Sequence, residues 1–274
     1  DFCLSRGLGD VYKRQGIHNM KKWMLLVVTA CLTFALTACG TSSGSADKKT
    51  LVMGTSADYP PFESKDGDKI VGFDVDLANA LAKKTGHEIE VKDMDFNGLV
   101  TALKTNKVDI VLSGMTPTPK RKKQVDFSNV YYTAHNMIVT KKSSGIKSLD
   151  DLKGKTVGVQ LGSIQEEKAK ELTPDYNLKV ENRNRISDLT EEIKAGRFDA
   201  AIIEDIVAEK YIDKNEELVG YNLPKEPDEK AGSAIAFKKG SDLTEKFNKA
   251  LEEMEKSGEL EKLKEKWFGG ETKK

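Results

Sequence analysis

The chain has 274 residues, room for two lobes of about 100 residues each, and its 44 basic and 44 acidic side chains cancel. That balance excludes the basic face that nucleic acid selects. The three cysteines, Cys3, Cys31 and Cys39, exclude disulfide, zinc–thiolate and cysteine-nucleophile chemistry from everything beyond position 39.

Residues 1–19 precede Met20 and carry no signal character, so they read as an artefactual leader and are set aside. From Met20 the chain runs Lys21-Lys22, an apolar stretch from Trp23 to Ala38, then Cys39. A cationic start, a short apolar core and small residues before a junction predict a signal peptide over 20–38. The apolar stretch is shorter than the roughly 20 residues that span a bilayer. Residues 39–49, polar and rich in Gly and Ser, read as a flexible tether.

Beyond it, strand-like stretches (Leu51–Gly54, Val108–Leu112, Thr156–Val159, Asp199–Ile203, Ser233–Phe237) alternate with helical ones. The latter are Asp74–Lys84, Asn97–Thr105, Ser163–Leu172, Ser187–Ala195 and Asp242–Lys256. This alternation predicts an α/β fold with parallel sheets covered on both faces. Leu103-Lys-Thr-Asn-Lys-Val-Asp109-Ile-Val is similar to Ile193-Lys-Ala-Gly-Arg-Phe-Asp199-Ala-Ala, each copy a helix end, a turn and a buried strand. The match suggests two related lobes, with ligands at the carboxyl ends of their strands.

Residues after those strands are the binding candidates. Thr118 is placed to cap a helix whose first residue is Pro119, and Arg121 follows in its first turn. The small-residue loop Ser113-Gly114-Met115-Thr116 exposes backbone amides, so loop and guanidinium together suit a carboxylate. Arg121 also fits a solvated basic run. Ser163-Ile-Gln-Glu166 is a capping box that starts a helix. Glu204, after the strand Asp199–Ile203, either begins a helix or holds an ammonium group. Tyr59 and Phe96 stand at element boundaries, as pocket walls or as core. Asp74 reads as a helix N-cap, and the pair Asp74 and Asp76 is not a metal motif. Of the two histidines in the folded part, His87 and His135, neither is read in a post-strand loop.

Several segments occur together in a recognisable order. These are Gly54-Thr-Ser-Ala-Asp-Tyr-Pro-Pro-Phe62, Val71-Gly-Phe-Asp-Val-Asp-Leu77, Met94-Asp-Phe-Asn-Gly98, Ser113-Gly-Met-Thr-Pro-Thr-Pro-Lys-Arg121, Leu152-Lys-Gly-Lys-Thr-Val-Gly-Val159 and the ending Gly258–Phe268. Over about residues 50–268 the chain resembles the polar amino-acid-binding proteins of ABC importers, the glutamine-, histidine- and lysine/arginine/ornithine-binding group. The segment Leu36-Thr-Ala-Cys39 likewise resembles a bacterial lipobox, which implies lipidation of Cys39.

The resemblance implies a type II periplasmic-binding-protein fold: two α/β lobes joined by two hinge strands around a central cleft. Lobe one would hold residues 50–137 and 232–274, and lobe two residues 138–231. By the same resemblance, Arg121 pairs with the ligand α-carboxylate, and Ser113, Gly114 and Thr116 contact its amino and carboxyl groups. Glu204 stands where the family usually has an Asp for the α-ammonium. Tyr59 and Phe96 become walls of the side-chain pocket, and Gln160 and Ile164 second-lobe contacts. Ser56 stands where binders of basic amino acids commonly carry Asp.

The expected function is therefore capture of a polar amino acid by hinge closure and its delivery to a membrane permease and ATPase complex. The expected protein is a lipid-anchored monomer on the outer face of the bacterial membrane, without cofactor, metal or nucleic-acid partner. The aromatic walls and the acidic neighbours Asp58 and Glu63 favour arginine or another basic amino acid, with glutamine or cystine next. Two other readings remain, a surface interaction or sensory module and a dehydratase-like enzyme. The second is disfavoured by the lack of a Gly-x-Ser-x-Gly elbow or a metal-binding motif.

Overall fold

The computed structural model describes residues 49–133, 135–224 and 232–269. The expected leader, the signal peptide, Cys39 and nearly all of the tether lie outside the described residues.

Two five-stranded sheets carry the fold. The first contains β1 (Thr50–Thr55), β5 (Glu88–Asp93), β6 (Ile110–Val111), β7 (Val125–Thr133) and β13 (Gly232–Lys238), in the order β5-β1-β6-β13-β7. The second contains β8 (Asn136–Lys141), β9 (Thr156–Gln160), β10 (Lys179–Arg183), β11 (Ala200–Glu204) and β12 (Leu218–Asn222), in the order β10-β9-β11-β8-β12. In both, the first three strands are parallel and the last two join antiparallel. A small third sheet pairs β2 (Asp58–Tyr59), β3 (Glu63–Asp66) and β4 (Lys69–Val71) beside the end of β1. The chain leaves the first sheet after Thr133, enters the second at Asn136, and rejoins the first at Gly232.

The sequence repeat has a physical basis. Asp109 Oδ2 accepts from the Val52 amide at 2.7 Å, and Asp199 Oδ2 accepts from the Thr156 amide at 2.8 Å. In return the amides of Asp109 and Asp199 donate to the carbonyls of Val52 and Thr156. Each aspartate thus locks the turn before its strand onto the neighbouring parallel strand, satisfying an amide that sheet pairing would leave open.

Helices cover the sheets with apolar stripes. On the first sheet α1 (Phe73–Thr85) presents Leu77 and Leu81 and α7 (Leu243–Ser257) presents Phe247, Leu251 and Met254 to a core that includes Met53, Ile110 and Phe237. Both end on left-handed glycines, Gly86 and Gly258, where a side chain would be strained. The last helix, α8 (Glu259–Phe268), returns to the first sheet by packing Phe268 against Phe62, Phe73 and Tyr132. On the second sheet α4 (Ile164–Tyr176), α5 (Ile186–Lys194) and α6 (Asp205–Ile212) do the same work.

Two local expectations differ. Asp74 is not the N-cap of α1; Gly72 holds that position without a side-chain cap, and Asp74 is buried one residue inside the helix. The strand expected over 108–112 pairs only at Ile110–Val111, between β1 and β13.

Candidate functional site

The loop after β6 brings a cation to the cleft. Thr118 caps the short helix α3 (Pro119–Lys122), with its Oγ1 accepting from the Arg121 amide at 3.2 Å and Pro119 in the first turn. That fixes Arg121 pointing inward, with 9% of its surface exposed. Its Nη1 donates to the Thr116 carbonyl at 2.7 Å and its Nη2 to the Gly162 carbonyl at 2.9 Å. The guanidinium carbon lies 5.2 Å from the centre of the Phe96 ring, a cation–π distance. No carboxylate of the described residues pairs with it within 4 Å. Burial pulls its pKa down to about 10, which leaves it cationic at neutral pH.

Glu204 closes the opposite side. It is the last residue of β11, 7% exposed, with Oε2 accepting from the Tyr59 hydroxyl at 2.9 Å. Its Oε1 is buried without a hydrogen-bond partner. Burial is the main force raising its pKa to about 8; the Tyr59 hydrogen bond opposes the rise, and the charges of Asp205 and Asp74 add to it. An orphaned carboxylate oxygen facing a cavity is what an ammonium group would satisfy.

Between these two lies a narrow cavity of about 10 Å³. Tyr59, Phe96, Gly114, Thr116, Arg121, Gln160, Ile164 and Glu204 all line it. Gly114 has φ +54, and a Cβ there would stand 2.8 Å from the Tyr59 ring, so only glycine lets ring and loop meet. Gly162, at φ +78, similarly admits the close approach of Asn97 from the first lobe.

Ser56 and Ser113 do not line the cavity. Ser113 is buried behind it, accepting from the Ser56 amide at 3.0 Å and donating to Glu63 Oε1 at 2.6 Å. Ser56 donates to Asp58 Oδ1 at 2.9 Å. Asp58 and Glu63 do not line the cavity either: Asp58 accepts from the Ile186 amide and sits 3.6 Å from Arg185.

Two further lining residues, Ser163 and Gln165, were not among the ligand contacts expected from sequence, where Ser163 was read as the start of a helix. Ser163 caps α4 through the Glu166 amide, while Glu166 reaches back to the Gly162 amide rather than to that of Ser163. With Ile164 it puts the helix start, where amides lack intrahelical partners, against the cavity. Gln165, one residue on, donates to Asn136 Oδ1 at 2.9 Å and joins the cavity to a second small space lined by His135, Asn136 and Ser233. His135 thus does lie just after a strand, β7, and borders the site.

The halves are drawn together beside the cavity. Arg185, between β10 and α5, donates from Nη1 to Asp93 at 2.7 Å and from Nε to Asp95 at 3.0 Å. Asn184 adds a bond to Asp95 at 2.9 Å, and the Tyr211 hydroxyl donates to the Asp58 carbonyl at 2.7 Å. This is a closed arrangement of two lobes around one buried cation and one buried acid.

The chain is similar to known proteins over most of its described length. Residues 51–270 match the model of the bacterial extracellular solute-binding proteins, family 3. An arginine-binding extracellular protein of Bacillus subtilis is 72% identical over 254 residues, 92% of this chain and 100% of that one. An ancestral arginine-binding protein, solved with arginine (TM-score 0.76) and with glutamine (TM-score 0.74), is 46% identical, covering 81% of this chain and 99% of that one. An amino-acid ABC transporter substrate-binding protein of Streptococcus pneumoniae bound to L-arginine is 37% identical with a TM-score of 0.74, covering 80% of this chain and 94% of that one. The chain belongs to the bacterial extracellular solute-binding proteins, family 3.

Proposed function

We propose that this chain captures L-arginine outside the cell and delivers it, lobes closed, to the permease and ATPase of an ABC importer. One observation carries the reading: a buried guanidinium with no carboxylate partner among the described residues faces a buried carboxylate with an orphaned oxygen across one cavity. A zwitterion completes both. Arg121 and the amides at the start of α4 take the α-carboxylate, Glu204 takes the α-ammonium, and Tyr59 and Phe96 flank the side chain. Gln160 and Gln165 offer neutral amide oxygens to a guanidinium tail, which stacks on an aromatic face more readily than an ammonium does. Arginine-binding names among the relatives support the same tail.

Contacts from both lobes give the ligand more to hold in the closed state than in the open one, so binding drives closure. The closed shape is what a permease would recognise. Cys39, placed after an apolar segment, would carry lipid and hold the monomer at the membrane surface; a Cys39→Ser chain released into the medium would support that anchor, and one retained on cells would contradict it.

Glutamine is the second reading, because the ancestral relative was also solved with it. A thermal-shift screen separates the two. Arginine should raise the melting temperature saturably and at lower concentration than glutamine. Equal or reversed potency would make glutamine the ligand, and no response to any amino acid would end the transport reading.

A further inference from the structure

Beneath the ligand loop lie two carboxyl groups that the capture chemistry does not use. Glu63, on β3, and Asp74, in the first turn of α1, are both fully buried. Each anchors one residue of the loop after β6: Ser113 Oγ donates to Glu63 Oε1 at 2.6 Å, and the Gly114 amide donates to Asp74 Oδ2 at 3.0 Å. The Tyr131 hydroxyl gives Asp74 Oδ2 a second donor at 2.9 Å. The remaining oxygens, Glu63 Oε2 and Asp74 Oδ1, are buried without a hydrogen-bond partner, and the backbone holds the two residues side by side, the Asp74 amide donating to the Phe62 carbonyl at 2.9 Å. The Thr55 hydroxyl also lies against Glu63.

The titratable groups facing the pair are Asp58 from β2, Tyr59, Tyr131 from β7 and Glu204 from β11, all acids or phenols. Two buried carboxylates with no cation beside them repel, and one proton shared between them removes both the repulsion and the orphaned oxygens. Asp74, which already accepts two hydrogen bonds, is the better anion. Glu63, which burial and then the charge of Asp74 disfavour as an anion, is the better acid.

The geometry points to a single proton held between Glu63 and Asp74, with Glu63 Oε2–H donating to Asp74 Oδ1, as the device that positions Ser113 and Gly114 for the ligand. Both residues act through the loop and touch no ligand themselves. The role rests on the reading of this cleft as an amino-acid site, and it adds a requirement to that reading: the floor of the site must carry one proton for the loop to hold its shape. Burial, then mutual repulsion, raises Glu63 well above the usual carboxylate range, and burial brings Asp74 to about 7, in keeping with a shared proton.

Infrared spectroscopy and calorimetry on the mature protein test this with Glu63→Gln and Glu63→Leu. An amide donates and accepts as the protonated acid does, whereas leucine fills the space and does neither. At neutral pH the arginine-saturated wild type should show a protonated-carboxyl band that is absent from Glu63→Gln. Glu63→Gln should bind arginine within about threefold of wild type, and Glu63→Leu about tenfold or more weakly, because Ser113 Oγ loses its acceptor. A band that persists in Glu63→Gln, or a Gln variant that loses as much affinity as the Leu variant, overturns the shared proton. If Glu63→Leu does not fold, the band and the Gln variant still decide. A wild type that ignores arginine would overturn the ligand assignment alone: without ligand Glu204 adds its own protonated-carboxyl band to both proteins, and the wild type should still carry one such band more than Glu63→Gln.

Discussion

Tyr59 Oη and Glu204 Oε2 meet at 2.9 Å, joining the small sheet of the first lobe to the end of β11 in the second. The bond bridges the lobes and also tunes the acid, since it is the contact that pulls the Glu204 pKa down against burial.

A pH dependence follows. Unliganded Glu204 titrates near 8, so below that it holds a proton that must leave before the carboxylate receives an ammonium. Arginine affinity should rise as pH climbs toward 8, with proton release on binding below it, measured by calorimetry in buffers of different ionisation enthalpy. Tyr59→Phe should move the rise to higher pH, and Glu204→Gln should abolish both the rise and the release. Stability of the ligand-free protein should run the opposite way. Its folded pKa of about 8 lies above the ordinary 4.5, so the folded state binds more protons between those values and loses stability as pH increases. Asp74, raised to about 7, acts in the same direction.

Gly114→Ala should damage the site by sterics alone. The new Cβ would meet the Tyr59 ring at 2.8 Å from a backbone with φ +54, which costs a non-glycine residue about 1–2 kcal/mol before any clash. A lower melting temperature and weaker arginine binding are expected in differential scanning calorimetry and titration. A variant with native values in both would show that ring and loop need not touch.

Arg185→Ala should loosen the closed state without touching the ligand. The guanidinium, 23% exposed, pairs with Asp93 and Asp95 of the first lobe at a partly solvated site, so a loss of about 1 kcal/mol is expected, close to fivefold in affinity. The loss should appear as faster dissociation in stopped-flow traces, with a more open ligand-free form in small-angle scattering. Unchanged dissociation would remove Arg185 from the closing mechanism.

Much of this could be read from the sequence where the signal is local. The Thr118–Pro119 cap that aims Arg121, and the repeat around Asp109 and Asp199, both rest on residues a few positions apart, and both appear in the structure. Contacts made across the fold left no such trace. Asp74 looks like a helix cap in sequence because its partners, Gly114 and Tyr131, stand 40 and 57 residues away. Arg185 sits in a turn with no motif, and its acids lie about 90 residues earlier. The edge strands β5, β10 and β12 and the short β2–β4 sheet are partly exposed and interleaved with charged or polar residues, so they do not stand out as continuous apolar runs. Ser56, read by family position as a ligand contact, lies instead against Asp58, because the acid two residues on claims its hydroxyl.

The central claim is that Arg121 reads the α-carboxylate, and a ligand-side comparison tests it most directly. Arginine and agmatine, which lacks that carboxylate, should be titrated into wild type and Arg121→Ala. Wild type should prefer arginine strongly, and Arg121→Ala should lose that preference along with about 2–5 kcal/mol of arginine binding. An Arg121→Ala protein that still discriminates the two ligands as wild type does would contradict the account.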